Sequence, residues 1–245
     1  MKSILSISFA ILLLASCKKT TVEQTQPTPT VVTPKIKTVS ISNATTTLNT
    51  VAYEYDNAGR IAKLTYANGN SVKYSYSTNM VTTESFTAAG VSDGKTTFNL
   101  NADGLAIKYF SNAAPATVTH FTYNTAKQLL TEITENGFET TYQLYHTYNA
   151  DGNKIADSIV NGQISTTKKI DYYTDKISTV ENLNYGIRFY GMPVKNCPKK
   201  SSLKLSTSNY VSTDYSIPET DTLGRITNYT HTSQGVTYTY VYTYY

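Results

Sequence analysis

The sequence predicts an all-β protein, an antiparallel meander of roughly 14–16 strands built from hairpin repeats of roughly 24 residues and curved into a sheet or barrel. Tyr occurs 22 times and Trp is absent, a bias that together with many Thr and Ser suits sheets with wet faces. Turn-forming Asp, Asn and Gly recur at regular intervals between segments that alternate apolar and polar residues. We expect no helix longer than about two turns after residue 37.

The N-terminal segment consists of Lys2 followed by the mostly apolar run 4–15. This run is too short for a permanent membrane helix and is typical of a secretory signal. It ends in Leu14-Ala15-Ser16-Cys17, which looks like the lipobox of bacterial lipoproteins. That resemblance implies cleavage after residue 16 and a thioether-linked lipid on Cys17. Residues 1–16 are therefore predicted to be a lipoprotein signal peptide, with Cys17 as the contact to the membrane.

Residues 17–36 form the predicted lipidated Cys and a Thr/Pro-rich tether, which is too poor in apolar side chains to bury a core. Lys18 and Lys19 follow Cys17 directly, without the acidic cluster that some Bacteroidota surface lipoproteins carry there. The expected location is the cell envelope, anchored in the outer membrane. The sequence leaves open whether the protein faces the periplasm or the outside.

Charge and cysteine content exclude several classes of function. Loss of Lys2 leaves 20 basic and 17 acidic residues, a net charge of +3 that is too small and too scattered for nucleic-acid binding. Apart from Cys17 the chain has one thiol, Cys197, which can form neither an internal disulfide nor a CxxC metal site. The role of Cys197 is left open.

The repeat extends over residues 37–245 and is defined by two series of turns. Its marker is the second Tyr of Tyr-x-Tyr, with steps of 21, 24, 23, 25 and 25 residues between Tyr55, Tyr76, Leu100, Tyr123, Tyr148 and Tyr173. One series of turns begins at Asp56, Asn101, Asn124 and Asn149, and the other includes Asn68-Gly69, Ala89-Gly90, Asn136-Gly137, Asn161-Gly162 and Gln234-Gly235. Short loops make consecutive strands neighbours, so the two series should lie at opposite ends of the sheet. Each Asn-Gly turn is predicted to be type I′, with both residues at positive φ.

The repeat is interrupted once, by an irregular insertion at about residues 187–213 that contains Pro193 and Pro198. It resumes at Asp221-Thr-Leu-Gly-Arg-Ile226, a close copy of Asp56-Asn-Ala-Gly-Arg-Ile61. The chain ends in a long predicted strand that alternates Tyr with Thr or Val.

The unit Tyr53-Glu-Tyr-Asp-Asn-Ala-Gly-Arg-Ile61 is similar to the YD repeat of Rhs-type shell proteins. The lipobox with a short tether, the degenerate YD units and the pattern Gly-x-Pro-x-Lys-Asn-x-Pro at 191–198 resemble more closely a Bacteroidota lipoprotein family, domain of unknown function 4595. That resemblance implies a porin-like fold over roughly residues 37–245 and carries over no activity and no catalytic residue. Since strands such as Lys73-Tyr-Ser-Tyr76 alternate Tyr with Lys and Ser, we expect a water-soluble barrel or sheet rather than a membrane-spanning one.

The sequence contains no catalytic motif, and we predict no catalytic residues, no bound metal and no cofactor. Residues 149–153 faintly resemble a calcium loop, but Val160 stands where a bidentate Glu is needed, so a plain turn is predicted. His120, His146 and His231 share no metal-ligand spacing and are interpreted as isolated strand histidines.

Candidate modification and binding residues remain. Asp157-Ser158-Ile159 and Asp221-Thr222-Leu223 match the Bacteroidota O-glycosylation signature, which makes Ser158 and Thr222 candidate acceptors. The irregular segment 186–200 is a candidate binding loop, and a structural plug that closes one end of a barrel is an equal alternative. Its candidate binding residues are Arg188, Phe189, Tyr190, Lys195, Lys199 and Lys200.

The leading functional hypothesis is a non-enzymatic, lipid-anchored envelope protein that binds a glycan or an envelope protein through a Tyr-rich face or the irregular segment. The alternative is a structural or scaffold module without a specific ligand, in which the Tyr rings merely form cross-strand ladders. A hydrolase with dispersed active-site residues is a third, weaker hypothesis.

Overall fold

The structure is a computed structural model that describes residues 34–111, 117–137, 139–205 and 210–245. The predicted signal peptide, Cys17 and most of the tether lie outside the described residues. The described residues form one compact unit. In the described ranges no helical segment has the length and apolarity that a bilayer crossing requires.

Alternation of apolar and polar residues and frequent tight turns give 17 strands in the ranges that the structure describes. They are β1 (Ile36–Asn43), β2 (Thr47–Tyr55), β3 (Ile61–Tyr66), β4 (Ser71–Ser77), β5 (Met80–Phe86), β6 (Ser92–Leu100), β7 (Ala106–Ser111), β8 (Thr117–Tyr123), β9 (Leu129–Asn136), β10 (Glu139–Tyr148), β11 (Lys154–Asn161), β12 (Ile164–Ile177), β13 (Asn196–Leu205), β14 (Tyr210–Tyr215), β15 (Glu219–Thr220), β16 (Ile226–Ser233) and β17 (Val236–Tyr244).

The strands form a closed antiparallel barrel. Each strand pairs with the next, except that β14 pairs with β16 instead of β15. Since β1 pairs with both β2 and β17, the strands close a ring of 16. The two-residue β15 pairs with β16 beside that ring. Within the described part of the chain, closure leaves no long edge strand with unpaired backbone groups. The predicted all-β meander is confirmed, and it closes into a barrel.

Side chains alternate between the interior and the outer wall. In β4, Tyr74 and Tyr76 point inward and pack in the core, whereas Lys73, Ser75 and Ser77 are exposed. The interior contains two apolar clusters, one centred on β1, β16 and β17 and the other on β5–β8. Their buried members are Ile36, Val39, Cys197, Ile226 and Tyr242 in the first, and Val81, Phe98, Ala106, Phe121 and Phe189 in the second.

The two turn series lie at opposite ends of the barrel, as the meander requires. At the end that we call the Asp-turn end, Asp56 Oδ1 accepts hydrogen bonds from the backbone N–H of Ala58 (3.0 Å) and Arg60 (2.9 Å). Gly59 takes φ +69°, and its N–H donates to Asp56 O. The copy that begins at Asp221 has the same bonds. An Asp or Asn at the first position and a Gly at the fourth thus fold locally into one turn type.

The prediction that each Asn-Gly turn is type I′, with both residues at positive φ, is wrong. Gly69 has φ +85° and its N–H donates to Tyr66 O, whereas Asn68 is not at positive φ. Asn161 is the last residue of its strand and pairs with Ile164, so the loop starts at Gly162. The strand register therefore decides which residue occupies each turn position. Both central φ angles are positive, as in type I′, at Gln234-Gly235 (49° and 78°).

The irregular segment also differs in extent from the expected insertion at about 187–213. Residues 178–195 lack strand structure, but Asn196–Leu205 and Tyr210–Tyr215 are regular strands that pair with each other. Pro198 is tolerated because β13 has a register shift where it pairs with Tyr172.

Candidate functional site: the plug, its cavities and the mouth pocket

Residues 178–195, which we call the plug, lie across the Asp-turn end of the barrel. Hydrogen bonds connect the plug to strand starts and turns around the rim, so this end is closed by backbone contacts from several sides. These bonds run from Ile226 N to Thr179 Oγ1 (2.8 Å), Ile36 N to Asn184 O (3.3 Å), Ile61 N to Gly186 O (3.3 Å), Ala106 N to Phe189 O (2.8 Å) and Met192 N to Lys127 O (2.8 Å).

The side chains of the plug enter both core clusters. Val180 and Tyr185 pack against the β1–β16–β17 cluster. Phe189 is 4% exposed, with its ring centroid 5.0 Å from that of Phe98 and 4.8 Å from that of Tyr190. The plug is therefore part of the core, held by the same apolar burial that holds the wall.

The structure separates the residues of the predicted binding segment. Phe189 and Tyr190 are packed in the interior, so their rings are unavailable as an outer binding face. Arg188 and Lys195 are exposed on the plug. Lys199 and Lys200 are exposed on β13, where Lys200 lies 3.6 Å from Asp214. The part of segment 186–200 that belongs to the plug lies across one end of the barrel, which agrees with the alternative hypothesis of a structural plug rather than with a binding loop.

A ring of Tyr hydroxyls holds the rim at the same end. In each case a Tyr of one strand donates to the carbonyl oxygen of the first residue of the preceding strand. The pairs are Tyr55–Ile36 (2.6 Å), Tyr76–Ile61 (2.8 Å), Tyr123–Ala106 (2.8 Å), Tyr172–Lys154 (2.7 Å) and Tyr244–Ile226 (2.7 Å). These hydroxyls have a structural role, because each donates to a rim carbonyl, and the rings of Tyr76, Tyr123 and Tyr244 also pack against the two core clusters.

A charged network lies inside the wall of β9–β11. His146 Nδ1 is 2.6 Å from Asp157 Oδ1 and His146 Nε2 is 3.3 Å from Glu132 Oε1, while Lys154 Nζ is 3.1 Å from Asp157 Oδ1. Burial lowers the pKa of His146, but the bonds to Asp157 and Glu132 outweigh it and the pKa is raised. Burial acts to raise the pKa of Asp157, yet its contacts with His146 and Lys154 hold it below its usual value. The network is thus a set of mutually neutralising charges around the buried His146 and Asp157, with Glu132 and Lys154 partly exposed.

Between this network and the plug lies a cavity of about 410 Å³, which we call the charged cavity. It is lined by Leu129, Glu132, His146, Tyr148, Lys154, Tyr172, Glu181, Asn182, Tyr190, Met192, Pro193 and Val194. Glu181 also lines a second, mainly apolar cavity of about 310 Å³ beside Cys197 and Tyr242. Burial raises the pKa of Glu181 to about 7, and burial likewise raises the pKa of Cys197 to about 12, which keeps that thiol protonated.

A pocket of about 570 Å³ lies at the opposite end of the barrel, beside the 234–235 turn, and we call it the mouth pocket. The His231 ring centroid lies 5.0 Å from that of Tyr238 and 5.3 Å from that of Tyr240. Burial, and secondarily the positive charge of Lys168, lower the pKa of His231, which favours the neutral form of its ring. The lining residues, none of them an acid, a lysine or an arginine, are Ile41, Leu48, Asn49, His231, Ser233, Gln234, Val236, Tyr238 and Tyr240.

The remaining predicted residues lie apart from these cavities. Ser158 is half-buried on β11, one residue from the inward Asp157, and Thr222 is exposed in the second Asp turn. Asn149 Oδ1 accepts backbone bonds from Asp151 and Asn153, the pattern of the other Asp or Asn turns. Among the described residues no group of three or more His, Cys, Asp or Glu is placed to hold a metal ion.

Two features of the interior differ from, or are absent from, the expectations drawn from the sequence. The interpretation of His146 as an isolated strand histidine is wrong, because the register of β10 and β11 places it opposite Asp157. Alternation on neighbouring hairpin strands could have indicated this pair. No sequence pattern indicated that Glu181 faces the interior cavities, because the plug has no periodicity from which the direction of a side chain could be derived.

No protein-family model and no curated protein matches this chain. Among solved structures, a porin-like protein from Bacteroides uniformis is similar over 87% of this chain and 99% of its own, at 16% sequence identity and a TM-score of 0.67. Chains in the crystal structures of TcdB2–TccC3–Cdc42 and TcdB2–TccC3–TEV match 78% and 77% of this chain and 12% of theirs, at 10% identity and TM-scores of 0.28 and 0.29. The Bacteroides protein shows a shared porin-like fold. The resemblance to domain of unknown function 4595 and to YD repeats stays a prediction.

Proposed function

We propose that this protein is a non-enzymatic, lipid-anchored cell-envelope protein that binds a neutral glycan in the mouth pocket. The observation that carries the proposal is the wall of His231, Tyr238 and Tyr240 at the end opposite the plug. Aromatic faces stack on the apolar faces of sugar rings, while amides and hydroxyls such as those of Asn49 and Gln234 bind sugar hydroxyls. The absence of charged groups from the lining favours a neutral ligand.

The charged residues of the outer wall favour a barrel whose outer surface is exposed to water. A row of charged residues crosses five neighbouring strands, because the register places each one opposite the next. A hydrocarbon environment would make such a row costly. The row consists of Glu54, Lys63, Lys73, Glu84 and Lys95.

The chain enters the barrel at the plugged end, where Pro34 O accepts a bond from Asn184 Nδ2. A tether from a lipidated Cys17 would therefore attach at that end and leave the mouth pocket at the other. Palmitate labelling that is lost in Cys17→Ala tests the anchor, and labelling that persists would contradict it. Protease treatment of whole cells distinguishes a periplasmic from an outward-facing barrel.

A glycan array with the purified full-length chain tests the binding function. We expect binding to a neutral glycan that falls about tenfold or more in Tyr238→Ala. Tyr210→Ala, which changes an exposed Tyr outside the pocket, should bind as the unmodified protein does. A clean negative on the array would contradict the proposal and favour a scaffold module without a ligand.

The proposal that the protein is not an enzyme is supported by the contacts of the His146 ring. Both of its ring nitrogens lie against carboxylates, so neither is free to act as a general base toward a substrate. Turnover of a glycoside or ester that a single-residue change abolishes would overturn this part of the proposal.

A further inference from the structure

The charged cavity holds a carboxyl group that the fold does not neutralise. Glu181 Oε1 accepts a hydrogen bond from Ser178 Oγ at 2.9 Å. Within the described parts of the chain no Lys, Arg or His forms an ion pair with Glu181, although Lys154 lies near enough to act on it electrostatically. An ionised carboxylate without a paired cation costs stability in such a place, and its position on a cavity makes Glu181 a candidate site residue.

The charges around the cavity do not balance. Lys154 and His146 are both committed to Asp157, at 3.1 and 2.6 Å. Three carboxylates, those of Glu132, Asp157 and Glu181, thus surround two cations, which leaves one surplus negative charge when all are ionised. This surplus would attract a cation from outside.

Aromatic rings line the same cavity. Tyr148, Tyr172 and Tyr190 all contribute to its wall. The hydroxyl of Tyr172 is held by Lys154 O, and Tyr190 is packed against Phe189 and Phe121, so two of the three rings have fixed positions. Rings of this kind attract ammonium groups through the negative potential of their faces.

We propose that the charged cavity binds a small organic ammonium ion, whose positive charge lies beside Glu181 among the three Tyr rings. The volume of about 410 Å³ is more than enough to hold a ligand of choline or diamine size. The ammonium supplies the missing positive charge, and the rings replace part of its hydration shell. The site is separate from the mouth pocket, with which it shares no lining residue.

Isothermal titration of the full-length chain with choline and with putrescine tests this site. We expect at least one of them to bind, and the uncharged carbon isostere of choline to give no heat of binding. Glu181→Gln preserves the shape of the side chain and should weaken the amine by about tenfold or more. Glu135→Gln, a matched change at an exposed carboxylate paired with His120, should leave the affinity unchanged.

Two results would overturn the proposal: no binding of either amine to the unmodified protein, or equal affinity in Glu181→Gln. Binding of the uncharged isostere as tightly as choline would also overturn it, because the cavity would then recognise shape without charge. Glycan binding in Glu181→Gln should stay unchanged, so the two sites can be tested independently.

Discussion

Gly186 of the plug lies directly against the backbone of Ile61 at the start of β3. A Cβ at Gly186 would stand 2.7 Å from Ile61 N and 3.0 Å from the Tyr55 ring, and the residue has φ +72°. Gly186 O also accepts a hydrogen bond from Ile61 N. The plug can approach the wall this closely only because Gly has no side chain.

Gly186→Ala should therefore destabilise the protein by about 3 kcal/mol or more, since backbone strain is added to a clash with fixed backbone atoms. Gly224→Ala is the matched control, because Gly224 has φ +74° but open space around its Cβ position. That change should cost only the strain of about 1–2 kcal/mol. Urea denaturation measures both, and equal losses would show that the plug does not press on Ile61.

The hydroxyl of Tyr123 connects the wall to the plug. It donates to Ala106 O at 2.8 Å and lies 3.2 Å from Phe189 O. Tyr123→Phe should cost about 1–2 kcal/mol in the free energy of unfolding, because the carbonyl of the buried Ala106 loses the hydroxyl donor. Tyr210→Phe, at a Tyr that is 60% exposed, should change stability by less than about 0.5 kcal/mol. Similar effects of the two changes on the free energy of unfolding would argue against a structural role for the Tyr hydroxyls at the rim.

The His146–Asp157 pair should be pH-dependent. Because the folded pKa of His146 is raised, its contribution is full below the ordinary value of 6.5 and is lost as pH rises through the folded pKa. Asp157→Asn should lower the pKa of His146, measured by NMR titration, and cost about 3 kcal/mol at pH 6. Glu135→Gln beside the half-exposed His120 should cost less than about 1 kcal/mol. If the pKa of His146 were the same in Asp157→Asn as in the unmodified protein, the proposed His146–Asp157 interaction would be refuted.

Glu181 should make the protein less stable as pH rises. Its folded pKa of about 7 exceeds the ordinary value of 4.5, so between these values the folded state holds more protons than the unfolded state. The free energy of unfolding should fall by about 3 kcal/mol across that window. Glu181→Gln should remove this dependence and be the more stable protein at pH 8, measured by thermal or urea unfolding. A Glu181→Gln protein less stable than its parent at pH 8 would contradict the assignment.

The hairpin at Gly162 provides a test of local turn chemistry. Gly162 has φ +57° with open space around it, so Gly162→Val should cost about 1–2 kcal/mol through backbone strain alone. Ser165→Val, three residues later on an exposed strand position, should be mild by comparison because a β-branched residue suits a strand. A larger loss at residue 165 than at residue 162 would mean that strand packing, not the turn, governs this hairpin.

Several features of this fold could be predicted from local sequence. Asp56 and Gly59 form their turn with partners at most four residues away, and the same residues recur in the second Asp turn. Short turns of this kind make each strand the neighbour of the next, which determined the antiparallel meander and the two ends of the barrel. The predicted turn type was wrong at Asn68 and Asn161, because the turn type depends on the strand register, and the partner strand decides that register.

Only the tertiary structure decided the closure of β17 onto β1, the path of the plug and the cavities. The Ile36–Asn184 bond joins residues 148 positions apart, and the Phe98–Phe189 contact joins residues 91 apart. No turn or alternation pattern encodes such distances, and the plug has neither. Whether Phe189 is a surface ligand residue or a core residue, and whether Glu181 meets water or a cavity, depends on a barrel that first has to close around them. Burial of this kind is a property of the assembled wall and not of the segment, which is why composition and periodicity could not reveal it.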